Sequence, residues 1–246
     1  MKLYYNKMIY IAVVFFANRK GSVAMLIALD GLDGSGKETQ TKLLLSSLEE
    51  KKIPYRYLSF PTYDDEMSAA VKMYLSGKFG EDPNAVNGYA ASSFFAVDRV
   101  CSFLLDWKKD YDAGTLIVAN RYTTANAVHQ LSKLPPEQAD GFLDWLFDFE
   151  FAKLGLPKPD LVLYLCLPPE MSRALVEKRS QETGRTTDIH EKSKTHLEQS
   201  YRAALYSSEK LGWARIDCVK DGTLRTREDI HEEVLGHVEK LLKKEN

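Results

Sequence analysis

From Met25 onward, short apolar runs alternate with longer stretches whose apolar positions recur at helical spacing. The runs at 26–30, 55–60, 115–119, 161–165 and 214–217 are predicted strands. Helical patterns fill 36–50, 67–77, 86–108, 123–131, 136–152, 169–181, 193–211 and 226–243. Leu43, Leu44 and Leu48 have the spacing of a helix face laid on a sheet. Val86 to Trp107 is apolar on more than one side, which suits a central, mostly buried helix. This alternation predicts an α/β fold with a mainly parallel sheet. Ligands of such sheets sit beyond the carboxyl ends of the strands, so the candidate site belongs to those loops. With no repeat, no Pro/Ser-rich linker and no low-complexity tract, one domain over 25–246 is the simplest partition. The polar stretch 180–192, with Gly184 inside it, reads as a mobile surface loop.

The first 24 residues stand apart. Lys2 and Lys7 precede an apolar run from Met8 to Phe16, too short for a bilayer, which needs about 20 residues. A charged start and a short apolar stretch are also the ingredients of a signal peptide. Asn18-Arg19-Lys20 follows directly, with no small-residue cleavage site there. Residues 1–24 therefore read as an extension outside the fold.

Composition narrows the function classes. The 246 residues are 44% hydrophobic and 28% charged, which is ordinary globular usage. A net charge of -2 and dispersed basic residues argue against a nucleic-acid or membrane partner. Three separated cysteines, Cys101, Cys166 and Cys218, give neither a metal spacing nor a disulfide framework. A reducing, cytoplasmic setting is the expectation.

The strongest chemical signal is Gly31-Leu32-Asp33-Gly34-Ser35-Gly36-Lys37-Glu38-Thr39. It follows a predicted strand and opens a predicted helix, the context in which backbone amides converge on phosphate oxygens. The helix N-terminus adds positive potential, and Lys37 a point charge for the outer phosphates. A Gly-rich turn with an incidental lysine is the competing reading, disfavoured by strand, spacing, lysine and helix together. One element departs from the pattern. A Ser or Thr that ligates Mg²⁺ normally follows the lysine, and here Glu38 stands there. Thr39 is one step on, about 100° around the helix.

Further motifs fall in order along the chain: Ser59-Phe60-Pro61-Thr62-Tyr63, Phe95-Ala96-Val97-Asp98-Arg99, Asn120-Arg121-Tyr122 and Gly155-Leu156-Pro157-Lys158-Pro159-Asp160-Leu161. Together with the phosphate loop they resemble the thymidylate kinase family over essentially all of 25–246. The resemblance implies a three-layer P-loop NTPase fold with a five-stranded parallel sheet flanked by helices. It implies transfer of the γ-phosphoryl of Mg·ATP to dTMP, and a homodimer. A P-loop kinase for another monophosphate such as dUMP, and a silent nucleotide-binding homologue, are the alternatives.

Carried onto this chain, the resemblance places ATP phosphates on Gly31, Asp33, Gly34, Ser35, Gly36, Lys37, Glu38 and Thr39. Lys37, Arg121 and Asp33 are the expected catalytic groups. The family's loop arginine is absent at Gly34, so a lid over about 180–192 should supply that cation, with Arg179 and Arg185 as candidates and Arg185 preferred. Phe95 would stack on thymine, although Phe94 and Phe95 are adjacent and cannot both face one way. Arg99, at i+4, can donate to thymine O4, and Asn126 can read the N3–H edge. Helix-start solvation is the competing reading for Asn126, and packing after a turn for Tyr63, expected near the acceptor phosphate. His129 stands where the family commonly has Tyr, which opens the question of sugar selectivity, and Gln130 follows it in the acceptor wall. Asn120 stands where the family usually has Asp. Loss of that carboxylate and gain of Glu38 suggest that Glu38, with Asp33, holds Mg²⁺, directly or through water.

Overall fold

A computed structural model of the protein describes residues 24–183 and 188–244. The expected extension at 1–24 lies outside these residues except for Ala24, as does Arg185. Five strands form one parallel sheet: β1 (Leu26–Gly31), β2 (Tyr55–Ser59), β3 (Leu116–Asn120), β4 (Leu161–Cys166) and β5 (Ala214–Asp217). Their order is β2-β3-β1-β4-β5, and every pairing is parallel. β1 is therefore central, and its burial is complete along its length. A strand buried on both faces needs a continuous apolar run, which Leu26-Ile27-Ala28-Leu29 supplies.

Alternate residues divide the core into two layers. Ile27, Leu29, Val118 and Leu163 point to one face, against Leu44 and Leu48 of α1 (Lys37–Glu50) and Val234 and Val238 of α10 (Arg227–Lys244). Leu26, Ala28, Ile117 and Ala119 point to the other, against Phe103 and Trp107. Helix, sheet and helix make the three layers.

The strand positions match the apolar runs within a residue. The helices show more detail than their periodicity. The segment read as 67–77 is a 3₁₀ turn, Glu66–Ser68, leading into α2 (Ala69–Leu75). The long helix read as 86–108 is α3 (Gly88–Ser102), started by Asn87, whose side chain accepts from the Ala90 amide at 2.9 Å. It runs on through a π turn, Phe103–Trp107, into α4 (Lys108–Asp112). The extra residue per turn sinks Phe103 and Trp107 into the core and leaves Leu104 and Leu105 exposed. α5 (Thr123–His129) follows β3, and α6 (Ala139–Phe147) continues into a second π segment, Asp148–Lys153.

The described residues of the stretch read as a loop, 180–183 and 188–192, are helical or cap a helix. α7 (Pro169–Thr183) extends into it, and α8 (Ile189–Lys192) follows residues 184–187, which are not among those described. Asp188 caps α8 by accepting from the amides of His190 and Glu191, and Glu191 returns a bond to the Asp188 amide. This reciprocal capping box allows a four-residue helix where the periodicity is too short to register. α9 (Lys194–Leu211) leads to β5, and a small hairpin, β6 (Val219–Lys220) with β7 (Thr223–Leu224), precedes α10.

Candidate active site

The carboxyl ends of β1, β2 and β3 open into a cavity of about 930 Å³. One part is the loop after β1. Gly34 has φ +83°, and a Cβ there would lie 2.5 Å from the Ser172 carbonyl oxygen, so only glycine lets this loop rest against α7. Gly36, at φ 90°, starts α1 without any side-chain cap, leaving the helix's first amides directed at the loop. Lys37 is buried and donates through Nζ to the carbonyls of Gly31 at 2.7 Å and Leu32 at 2.8 Å. Its Nζ is 3.8 Å from Asp33 Oδ1. Burial first, then the Arg121 guanidinium, bring the Lys37 ammonium down to about 8.

Arg121 faces this loop from the end of β3. Its φ of +64° is a left-handed conformation for a side-chain-bearing residue, costing about 1 kcal/mol or more. Arg121 Nη2 donates to Asp33 Oδ1, Nη1 lies 3.1 Å from His129 Nε2, and Asp30, fully buried at the end of β1, is 3.9 Å away. Burial pushes the Asp33 carboxyl up, but the Arg121 and Lys37 cations outweigh it and hold Asp33 well below the usual carboxylate range. Asp30 is fixed by the Gly31 amide and the Thr124 hydroxyl. Two carboxylates thus hold the guanidinium over the loop.

The other part of the cavity is walled by α3 and α5. Phe95 lines it and meets Tyr74 edge-on, with centroids 6.2 Å apart. Phe94 also meets Tyr74, with centroids 6.3 Å apart, and packs on Phe79 at 5.6 Å. Arg99 also lines the cavity, although it is only 1% exposed, because it forms a two-pronged pair with Glu150 at 2.7 and 2.6 Å. Glu150 is fully buried and also accepts from Thr123 Oγ1 at 2.8 Å and Asn126 Nδ2 at 3.0 Å. The second amide proton of Asn126 goes to the Ser92 carbonyl at 3.3 Å. Sequence reasoning did not reach Glu150. It lies 51 residues from Arg99 within an apolar helical stretch, Phe147-Asp148-Phe149-Glu150-Phe151, where nothing local separates its carboxylate from that of Asp148. Asp98 was within the quoted motif without a role. It is buried, and its carboxylate accepts from the amide and hydroxyl of Thr62, tying α3 to the loop that carries Tyr63.

Apart from Gly31, whose carbonyl serves from behind, and Arg185, every sequence-derived candidate lines this one cavity. Their orientations differ. Tyr63 is 49% exposed at the rim. Glu38 points outward and accepts from Lys42 at 2.7 Å. Asn120 Nδ2 reaches Ser59 Oγ at 3.4 Å. Arg179 pairs with Glu191 at 2.8 Å, across the segment 184–187. Ser35 Oγ, Asn120 Oδ1, His129 Nδ1 and Gln130 Oε1 are buried with no hydrogen-bond partner among the described residues. Such orphans are costly, so the cavity wall is built for a polar ligand.

Comparison with known proteins agrees with this geometry. The family model for thymidylate kinase matches residues 29–230. A thymidylate kinase of Mycobacterium tuberculosis is 30% identical over 193 residues, 77% of this chain and 87% of that protein. Thymidylate kinases of Plasmodium falciparum and Danio rerio are each 24% identical, covering 87% and 85% of this chain and 90% and 87% of their own lengths.

Proposed function

Since this chain belongs to the thymidylate kinase family, we propose that it transfers the γ-phosphoryl group of ATP to dTMP, giving dTDP and ADP. The observation that carries this reading is that the phosphate loop and the Phe95–Arg99–Asn126 wall open into one cavity with Arg121 between them. A phosphate oxygen of dTMP attacks the γ-phosphorus, and the bond to the β–γ bridging oxygen breaks. The acceptor is already an oxyanion, so no strong base is needed. Positioning and charge neutralisation do the work. Lys37 and Arg121 ligate the transferring group, Asp33 holds both cations in place, and Gly31, Gly34, Ser35, Gly36 and Thr39 shape the cradle. Arg179 moves from Glu191 to the nucleotide as the lid closes, and Arg185 is the second lid cation. Phe95 stacks on the base. Arg99 spends Nε and Nη2 on Glu150 and one Nη1 proton on the Tyr122 carbonyl at 3.4 Å, leaving the second Nη1 proton for O4. Asn126 spends both amide protons, leaving Oδ1 for N3–H. Tyr63, His129 and Gln130 bound the sugar and phosphate.

Mg²⁺ accompanies ATP and supplies charge neutralisation. The donor set fits an ion that keeps several waters: Asp33 at the loop, and Glu38 once freed from Lys42, would be the carboxylates that hold it. A cycle of Glu38→Thr and Asn120→Asp tests this exchange, and strictly additive effects on kcat would overturn it. The protein works in the cytoplasm as a homodimer, with no nucleic-acid or membrane partner. No helix among the described residues is long and apolar enough to cross a membrane. The primary test is ADP release from Mg·ATP with dTMP, dUMP, UMP, CMP and AMP, each product identified. Turnover led by dTMP is the expected result. Preference for dUMP would reassign the acceptor, and ATP binding without turnover would make the chain a silent binder.

A further inference from the structure

We propose that His129, His190 and His196 form a binding site for a borderline transition-metal ion such as Zn²⁺. The three imidazoles come from three elements, α5, α8 and α9, and one ring nitrogen of each lies within 4.8 Å of the others. They are 5%, 6% and 2% exposed. Their rings lie face over face or tilted, with centroids 5.4 Å apart for 129 and 190, 5.8 Å for 129 and 196, and 4.4 Å for 190 and 196. Such a stack has no apolar function that leucines would not serve better, and it leaves polar nitrogens poorly satisfied. His129 Nδ1 has no partner among the described residues. Among the described residues, the His196 ring has only long hydrogen-bond contacts, to Ser132 at 3.5 Å and Ser200 at 3.4 Å. His190 Nε2 meets Tyr74 Oη at 2.7 Å, a hydrogen bond that orients its ring.

The chemistry selects the ion. Burial, reinforced by neighbouring cations and imidazoles, keeps all three rings neutral at pH 7, so each has a lone pair to give. Imidazole nitrogens suit Zn²⁺, Ni²⁺ or Cu²⁺, whereas Mg²⁺ takes oxygens, so this site is separate from the nucleotide's ion. A tetrahedral Zn²⁺ with bonds of about 2.0–2.1 Å sets its ligand nitrogens about 3.4 Å apart. Small ring movements from the observed spacing reach that geometry. Three protein ligands leave the fourth position for water or a ligand oxygen. His129 and His190 line the cavity, which gives the ion its path inward. Arg121 has donors only, so the His129 nitrogen it meets accepts, and the ring proton sits on Nδ1. Whichever nitrogen binds the ion, that hydrogen bond to Arg121 is lost.

Calorimetric titration of the full chain with Zn²⁺, without nucleotides, tests the proposal independently of any kinase activity. The expected result is one ion per chain, unmoved by millimolar Mg²⁺, with affinity weakened at least about tenfold by His190→Gln and by His196→Gln. Absence of saturable uptake would overturn it. So would uptake unchanged in both variants, which would assign the ion to other groups such as Cys166 and Cys218. Should either variant fail to fold, the visible spectrum of the Co²⁺-loaded wild-type protein decides: intense tetrahedral bands support the site, and weak octahedral bands refute it.

Discussion

Gly34 and Lys37 show how few atoms set the phosphate grip. A methyl group at Gly34 meets the Ser172 carbonyl oxygen at 2.5 Å on a backbone already at φ +83°. Gly34→Ala should weaken ATP binding and cost roughly 1–2 kcal/mol of stability, read by calorimetry and urea unfolding. Lys37→Ala removes the buried cation that the proposed mechanism sets against the transferring group, and kcat should fall roughly 10²–10³-fold in the ADP-release assay. Lys133 offers a pH test. It donates to Tyr74 Oη at 2.7 Å and the Val86 carbonyl at 2.9 Å, and burial brings its ammonium down to about 7. Between that value and the ordinary 10.5, the unfolded chain holds a proton that the native one has released. Stability therefore rises with pH across that window, by at most about 1.4 kcal/mol per unit, and below it the cost of burying the charged lysine is present in full and does not vary with pH. Lys37 adds a contribution of the same sign from about 8 upward. Lys133→Met should remove its own share, seen as a smaller gain in urea midpoint between pH 7 and 9.

At the scale of elements, what is contiguous in the chain was legible and what is assembled across it was not. The five strands are short apolar runs bounded by turns, and the phosphate loop is nine consecutive residues between a strand and a helix. The π turns at Phe103–Trp107 and Asp148–Lys153 are invisible to a 3.6-residue period, yet the second carries Glu150 to its place. α8 is too short to show a pattern, and its capping box became evident only in three dimensions. The histidine stack joins residues 129, 190 and 196, and no local spacing relates the first to the others. The Glu150 hub makes a test of its own. Glu150→Ala strands the Arg99 cation in the core and should cost about 3–5 kcal/mol. The double variant Arg99→Met with Glu150→Met should recover much of that stability while losing dTMP affinity. Equal losses in the two cases would show that the pair is not the source of the cost.

For the whole molecule, the outward side of α3 and its π turn is the notable surface. Val97, Leu104 and Leu105 are 49%, 62% and 79% exposed, and with Cys101 they follow the spacing of one helix face. Apolar side chains gathered this way mark an interface, and a second copy of the chain is the occupant that the proposed homodimer supplies. Leu104→Asp with Leu105→Asp should halve the mass measured by light scattering while leaving the monomer folded. An unchanged mass would place the dimer contact elsewhere. The buried Glu150 also reaches beyond its stabilising role. Its oxygens take donors from Arg99, Thr123 and Asn126, so the amide of Asn126 cannot turn around. Under the proposed acceptor reading, the wall that meets the base then has a frozen polarity, donor beside acceptor, matched to thymine and inverted for cytosine. Discrimination between pyrimidines is on this view a rule written in the core by a charge that no substrate touches, and Glu150→Gln should blur it before it abolishes turnover.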